Sequence, residues 1–335
     1  MKLNKKVLIS SLSIAILGLF STCIHLEKPP FIVSVFINAF HCLRLELFQS
    51  TVFNIFIERT EKIYYSINTL TIFVFLLLLI GILFYWLSKG KETRLIRFVI
   101  SIVLISSIVS FGYSIFRIFY YDSYPYWIVV VSMSLLAKSA YIYYSFYILN
   151  HFKAEKELVL GNDATQKDFQ FSEHEASNWQ RLIHSLLDTF ICLSIFSFTA
   201  FDVFKGLLMK VNIIAGEKAS LFLFYLIISF AYYLFFEYFF GSTPAKMLTE
   251  VRVVNEKSNR PSFNSLMIRS ISRRIPFDSI SFFSAQGWHD RLSDTKVIQE
   301  KTTGIKGIYY FFILLVLIVT YTFFLFKQNS EYFPF

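Results

Sequence analysis

The chain has 335 residues, of which 55% are hydrophobic and only 16% charged, with a mean hydropathy of +0.55 and a net charge of +9. Soluble domains carry about a quarter charged residues, so a pair of soluble domains is excluded. The 41 Phe and 20 Tyr suit lipid and its interface. The basic residues flank apolar runs and accompany no nucleic-acid-binding motif, which argues for membrane topology and against a nucleic-acid partner.

A spanning helix needs about 20 mostly apolar residues. Seven such segments follow in chain order: Val7 to Ile24, Asn68 to Ser88, Phe98 to Phe116, Trp127 to Leu149, Leu182 to Phe201, Ser220 to Gly241 and Gly307 to Phe326. The expected fold is an all-α membrane protein, a polytopic bundle of about seven transmembrane helices with a small cytoplasmic hairpin and an interfacial helix. With the N-terminus cytoplasmic, the inner segments hold 22 Lys and Arg and the outer ones 8. The positive-inside rule therefore favours N-in and C-out. Cys23 follows a basic start and an apolar run, but Phe20-Ser21-Thr22 fits a lipoprotein signal poorly. A cleaved first segment would leave six spans in the same orientation. Cys23, Cys42 and Cys192 lack metal-ligand spacing, so no metal or cofactor is implied.

Residues 1–150 form a four-span N-terminal region, in which 25–66 holds an apolar stretch (31–40) too short to span and suited to the outer surface. Residues 151–177, with Gly161-Asn162-Asp163, read as a cytoplasmic linker. The inner segment 242–306 is more than a loop. Val251 to Val254 alternates like a strand, and Asn255 to Pro261 reads as a turn. Ser262 caps a helix over Phe263 to Ile275. That helix carries Arg269, Arg273 and Arg274 among apolar residues, which predicts a helix on the inner leaflet with anionic lipid contact. Thr295 to Ile298 is expected to pair with the earlier strand.

Three elements in order resemble the RDD family of bacterial membrane proteins over residues 178–300. The first, Asn178 to Asp188, places an Arg at a helix start and an Asp in its middle. The second is Glu237 followed by Thr243-Pro244-Ala245-Lys246 and the strand Val251-Arg252-Val253. The third is His289-Asp290 with Thr295-Lys296-Val297. Ala245 stands where the family usually has Gly, which removes the freedom a tight turn would use. The resemblance implies Arg181, Asp188 and Asp290 as characteristic residues and a transport role. Residues 301–335 complete the chain with the last span and a short outer tail.

Ionisable groups inside a bilayer cost about 2.5–3.5 kcal/mol each at a helix centre, so they are the first functional candidates. Arg181, His184 and Asp188 are spaced to share one helical face. Glu237, about 6 Å from the inner end of its span, falls between His184 and Asp188 in depth. The four are expected to form one polar cluster. It reads in two ways. In one, Arg181 neutralises Glu237 while Asp188 takes a hydroxyl or backbone partner, an arrangement that only sets helix register. Alternatively Asp188 and Glu237 hold a cation or proton, with His184 near its ordinary pKa of about 6.5. Lys138 lies mid-span, about 18 Å from Asn150, and a Lys138–Asp188 pair is expected. Asp290 is expected to order its loop through Arg291 or a neighbouring Arg. No HExxH, GxSxG, Walker or GxGxxG pattern occurs, so an enzyme is not expected. The leading expectation is transport of a small solute or ion. The other is a scaffold whose basic inner segment binds a protein partner or anionic lipid.

Overall fold

The computed structural model describes residues 4–23, 63–120, 125–163, 176–199, 205–255, 260–274 and 287–300, with 309, 310, 312 and 319. The stretch 31–40 lies outside them, as does most of the seventh expected span. The helices are α1 (Lys5–Cys23), α2 (Ile63–Leu87), α3 (Arg94–Tyr120), α4 (Pro125–Asp163), α5 (Asn178–Phe198), α6 (Lys205–Ala215) and α7 (Glu217–Phe240). A compact end-piece follows: α8 (Pro244–Leu248), β1 (Val251–Asn255), α9 (Phe263–Ser272), α10 (Trp288–Leu292) and β2 (Thr295–Gln299).

Among the described residues two helical segments are long and apolar enough to cross a bilayer, Arg94–Ile115 and Glu217–Phe240; Thr71–Leu87 and Gly206–Ala215 are apolar but shorter. The linker reading of 151–177 is corrected in its first part, because α4 continues unbroken through Gly161-Asn162-Asp163. At 1.5 Å per residue its 39 residues reach about 58 Å, well beyond a hydrocarbon core.

Helix α3 is the axis of the packing. It lies against α2, α4 and α8, and Leu95, Ile96, Val99, Ile100, Val103 and Leu104 are all buried. Its serines let neighbouring backbones approach closely. Two of them satisfy their hydroxyls locally, Ser101 on the Phe98 carbonyl at 2.6 Å and Ser114 on that of Ser110 at 3.0 Å. Gly81 of α2 is needed for the approach: a Cβ there would sit 2.9 Å from Leu95 Cβ and 3.1 Å from the Ile96 nitrogen.

The end-piece matches its expected form. β1 and β2 pair antiparallel from Val251↔Gln299 to Asn255↔Thr295, and Ala176 N–H donates to the Val297 carbonyl at 3.1 Å. Ser262 caps α9 by accepting from Ser265 N–H at 3.1 Å. Gly241 closes α7 in the left-handed conformation at φ 72°, where a side chain would be strained.

The N-terminal region is tied to this end-piece through buried ion pairs at the start of α3. Arg94 reaches Glu250 at 2.5 Å with both side chains 1% exposed. Arg97 reaches Glu300 at 3.0 Å and donates to the Ser242 hydroxyl at 3.4 Å. Arg94 also lies over the Tyr310 ring, 5.2 Å from its centroid. Removing one partner of a buried pair strands the other charge and costs about 3–5 kcal/mol. R94A and E250Q should therefore each lower the unfolding midpoint of the purified chain, and the double variant should lose less than the two combined, as read by thermal unfolding in detergent.

Candidate functional site

A capping box starts α5: Ser177 Oγ accepts from Gln180 N–H at 3.3 Å while Ser177 N–H donates to Gln180 Oε1 at 2.9 Å. That start sets the phase of the helix and turns Arg181, His184 and Asp188 to one side, against α7 and α8. Asp188 is 1% exposed. It accepts from the Tyr232 hydroxyl at 2.6 Å and from the Thr243 hydroxyl at 2.6 Å. His184 Nε2 meets the Thr249 hydroxyl.

The turn after α7 supplies the next layer. Thr243 caps α8 by accepting from Lys246 N–H at 3.4 Å, and its own hydroxyl proton goes to Asp188. Pro244 occupies the first helical turn, where its missing N–H costs nothing. Ala245 is helical and fully buried, so this turn does not require Gly there; the left-handed residue is Gly241. Lys246 then reaches back to Glu237 Oε1 at 2.6 Å.

Glu237 is fully buried and shared by three cations: Lys246, Arg273 at 3.0 Å and Arg269 at 3.2 Å. Arg269, itself fully buried, continues to Asp290 and donates to the Thr295 hydroxyl at 2.5 Å. Asp290 also faces Arg181 at 3.5 Å. Burial works against its ionisation, but Arg269, His289 and Arg181 prevail and hold its carboxyl down to about 2. Burial lowers the Lys246 ammonium to about 8, with Arg273 and Arg269 assisting against the pull of Glu237.

Four expectations change here. The Lys138–Asp188 pair does not form. Lys138 donates to the Ser110 carbonyl at 2.9 Å and to Ser114 Oγ at 2.5 Å, deep along α3, whereas Asp188 sits beside Thr243 at the end of α7. The two groups differ in depth. Arg181 does not neutralise Glu237; it pairs with Asp290 and donates to the Ala176 carbonyl at 3.1 Å. Asp290 is ordered by Arg269 and Arg181, with Arg291 absent from its described partners. The basic residues of α9 do not face lipid headgroups as a group. Arg269 and Arg273 turn inward to Glu237, while Phe263, Ile268 and Ile271 are exposed. Arg274 lies over the rings of Tyr225 and Tyr233. The inversion follows from Glu237, whose buried charge needs cations more than α9 needs an apolar inner face.

Lys246, Thr243 and Tyr232 were not singled out from the sequence. Lys246 and Thr243 share the short turn Thr243-Pro244-Ala245-Lys246, where cap spacing was legible. Tyr232 is one of 20 tyrosines and carries no distinguishing signal.

Arg269 bridges Glu237, Asp290 and Thr295 with one planar fork, which a lysine cannot reproduce. R269A and R269K are both expected to destabilise the chain, R269A by about 3–5 kcal/mol, in thermal or denaturant unfolding. Because the folded Asp290 carboxyl lies below its ordinary value, its contribution is complete above about pH 4 and is lost as pH falls toward about 2. The wild-type midpoint should drop across that window by more than the D290N midpoint does.

Residues 175–333 match the family model of the RDD family. No curated protein and no solved structure matches the chain. The matched region contains the Asp188–Thr243 contact, the Glu237–Lys246 pair and the Arg269–Asp290 bridge. With its long apolar helices and this match, the chain reads as an integral membrane protein that carries an RDD-family domain over residues 175–333.

Proposed function

We propose that the protein moves a small solute or ion across the bacterial cytoplasmic membrane, and that Asp188 is the group whose charge changes during the cycle. The proposed topology is seven spans with the N-terminus cytoplasmic and the C-terminus outside, based on the distribution of Lys and Arg. The polar cluster then lies at the inner boundary of the membrane. In this reading the protein is not an enzyme.

One observation carries the assignment to Asp188. Glu237 and Asp290 are each held by arginines, Glu237 by Lys246 as well. Asp188, at comparable burial, takes only the hydroxyls of Tyr232 and Thr243 as hydrogen-bond partners among the described residues. A carboxylate locked by cations cannot exchange its counter-charge cheaply. A carboxylate held by two hydroxyls can accept a proton or a cation while those hydroxyls reorient. His184 lies one turn away on the same helix, against Thr249. Lys138 belongs to a separate contact with α3. The scaffold reading loses its main support, since Arg269 and Arg273 are engaged inside the protein.

The test is flux in proteoliposomes. D188N should abolish ion- or proton-dependent flux across a panel of ions while the purified variant keeps its unfolding midpoint within a few degrees. E237Q should instead lower the midpoint, because it leaves three cations facing a neutral amide. Wild-type vesicles without flux for any ion in the panel, or D188N vesicles with full flux, would refute the proposal.

A further inference from the structure

The cluster carries more positive charge than its own carboxylates can use. Arg181, Lys246, Arg269 and Arg273 converge on Asp188, Glu237 and Asp290, and Arg274 follows Arg273 in the chain and lies over the Tyr225 and Tyr233 rings. Of these cations Arg274 has no ion pair among the described residues. Several guanidinium N–H groups are buried yet make no hydrogen bond among the described residues: Nη2 of Arg269, Nε of Arg273, and Nε and Nη2 of Arg274. Buried donors are almost always partnered, and an unpartnered one costs about 1–3 kcal/mol. Four in one place therefore call for an acceptor.

The local geometry gives that acceptor a position and a charge. The guanidinium carbons of Arg273 and Arg274 lie 4.1 and 6.0 Å from the centroid of the same Tyr233 ring. Two adjacent guanidiniums repel one another, and an aromatic face relieves this only in part. Glu237 cannot serve both, because its oxygens already meet Lys246, Arg269 and Arg273. Planar forks of this kind bind tetrahedral oxyanions in a bidentate manner. On the outer side of α9, Phe263, Ile268 and Ile271 are exposed apolar residues, which sets the helix at an apolar surface where phosphate headgroups also lie.

We infer that Arg273 and Arg274, backed by the Tyr233 ring and by Arg269, form a binding site for a phosphate-type oxyanion at the junction of α7 and α9. The same chemistry would recognise free inorganic phosphate or the phosphodiester of an anionic lipid. The inference does not depend on the transport reading, since Asp188 is not part of the oxyanion site.

The experiment uses the full chain in nanodiscs and reads the unfolding midpoint, with native mass spectrometry to count bound species. One arm uses phosphatidylcholine discs with inorganic phosphate added, and chloride at matched ionic strength as its control. The other uses discs containing phosphatidylglycerol without added phosphate. The expected result is a rise in the midpoint in at least one arm, beyond that given by chloride. The first arm identifies a soluble oxyanion and the second a lipid headgroup. R274Q should keep the anion-free midpoint and weaken apparent affinity about tenfold, the loss of a charge-assisted contact. R274K, which keeps the charge without the fork, should also weaken it. D188N should bind as the wild type does, whatever its effect on flux. The inference is overturned if neither arm exceeds chloride, or if R274Q and R274K both retain the full shift.

Discussion

The Arg269 guanidinium organises the family-matched half of the molecule. It is fully buried and joins three elements distant in sequence: Glu237 at the end of α7, Asp290 in α10 and Thr295 at the start of β2. Among the described residues it is the one cation the two buried carboxylates share, and Lys246 and Arg273 on Glu237 and Arg181 on Asp290 complete their neutralisation. Once Arg269 is in place, the position of α9 follows, and the apolar residues of that helix must face outward. The placing of Arg273 beside Glu237 and over Tyr233 follows as well.

A second constraint acts through the turn after α7. Gly241 ends the helix, Thr243 caps the next one, and the cap hydroxyl passes its proton to Asp188. One short sequence therefore does three things. It reverses the chain, fixes Lys246 on Glu237, and supplies one of two neutral donors to a buried carboxylate. The difference between Asp188 and Glu237 arises here. Both are buried acids on facing helices, but among the described residues only Glu237 is ion-paired, while Asp188 is held by hydroxyls. That difference is the basis for the cycle proposed at Asp188.

The N-terminal region lies outside the family match, yet it is not an independent anchor. Arg94 and Arg97 at the start of α3 pair with Glu250 and Glu300, which bracket the two-stranded sheet. Any movement of the end-piece relative to α3 would have to break two buried ion pairs.

Much of the architecture was legible from the residues alone. Apolar runs mark α2, α3 and α7, because bilayer thickness imposes a length that composition reveals. The Ser262 cap and the β1–β2 pairing were readable because they depend on neighbours a few residues apart or on simple alternation. So was the shared face of Arg181, His184 and Asp188, which needs only the helical period. What the sequence could not determine was partner choice. Arg181 meets Asp290 rather than Glu237, Lys138 meets Ser110 and Ser114 rather than Asp188, and Arg269 and Arg273 turn inward to Glu237. Each of these depends on the relative depth and rotation of helices far apart in the chain. Those are set by the summed packing around α3 and by the demand of Glu237 for buried cations, and only the tertiary structure decides them.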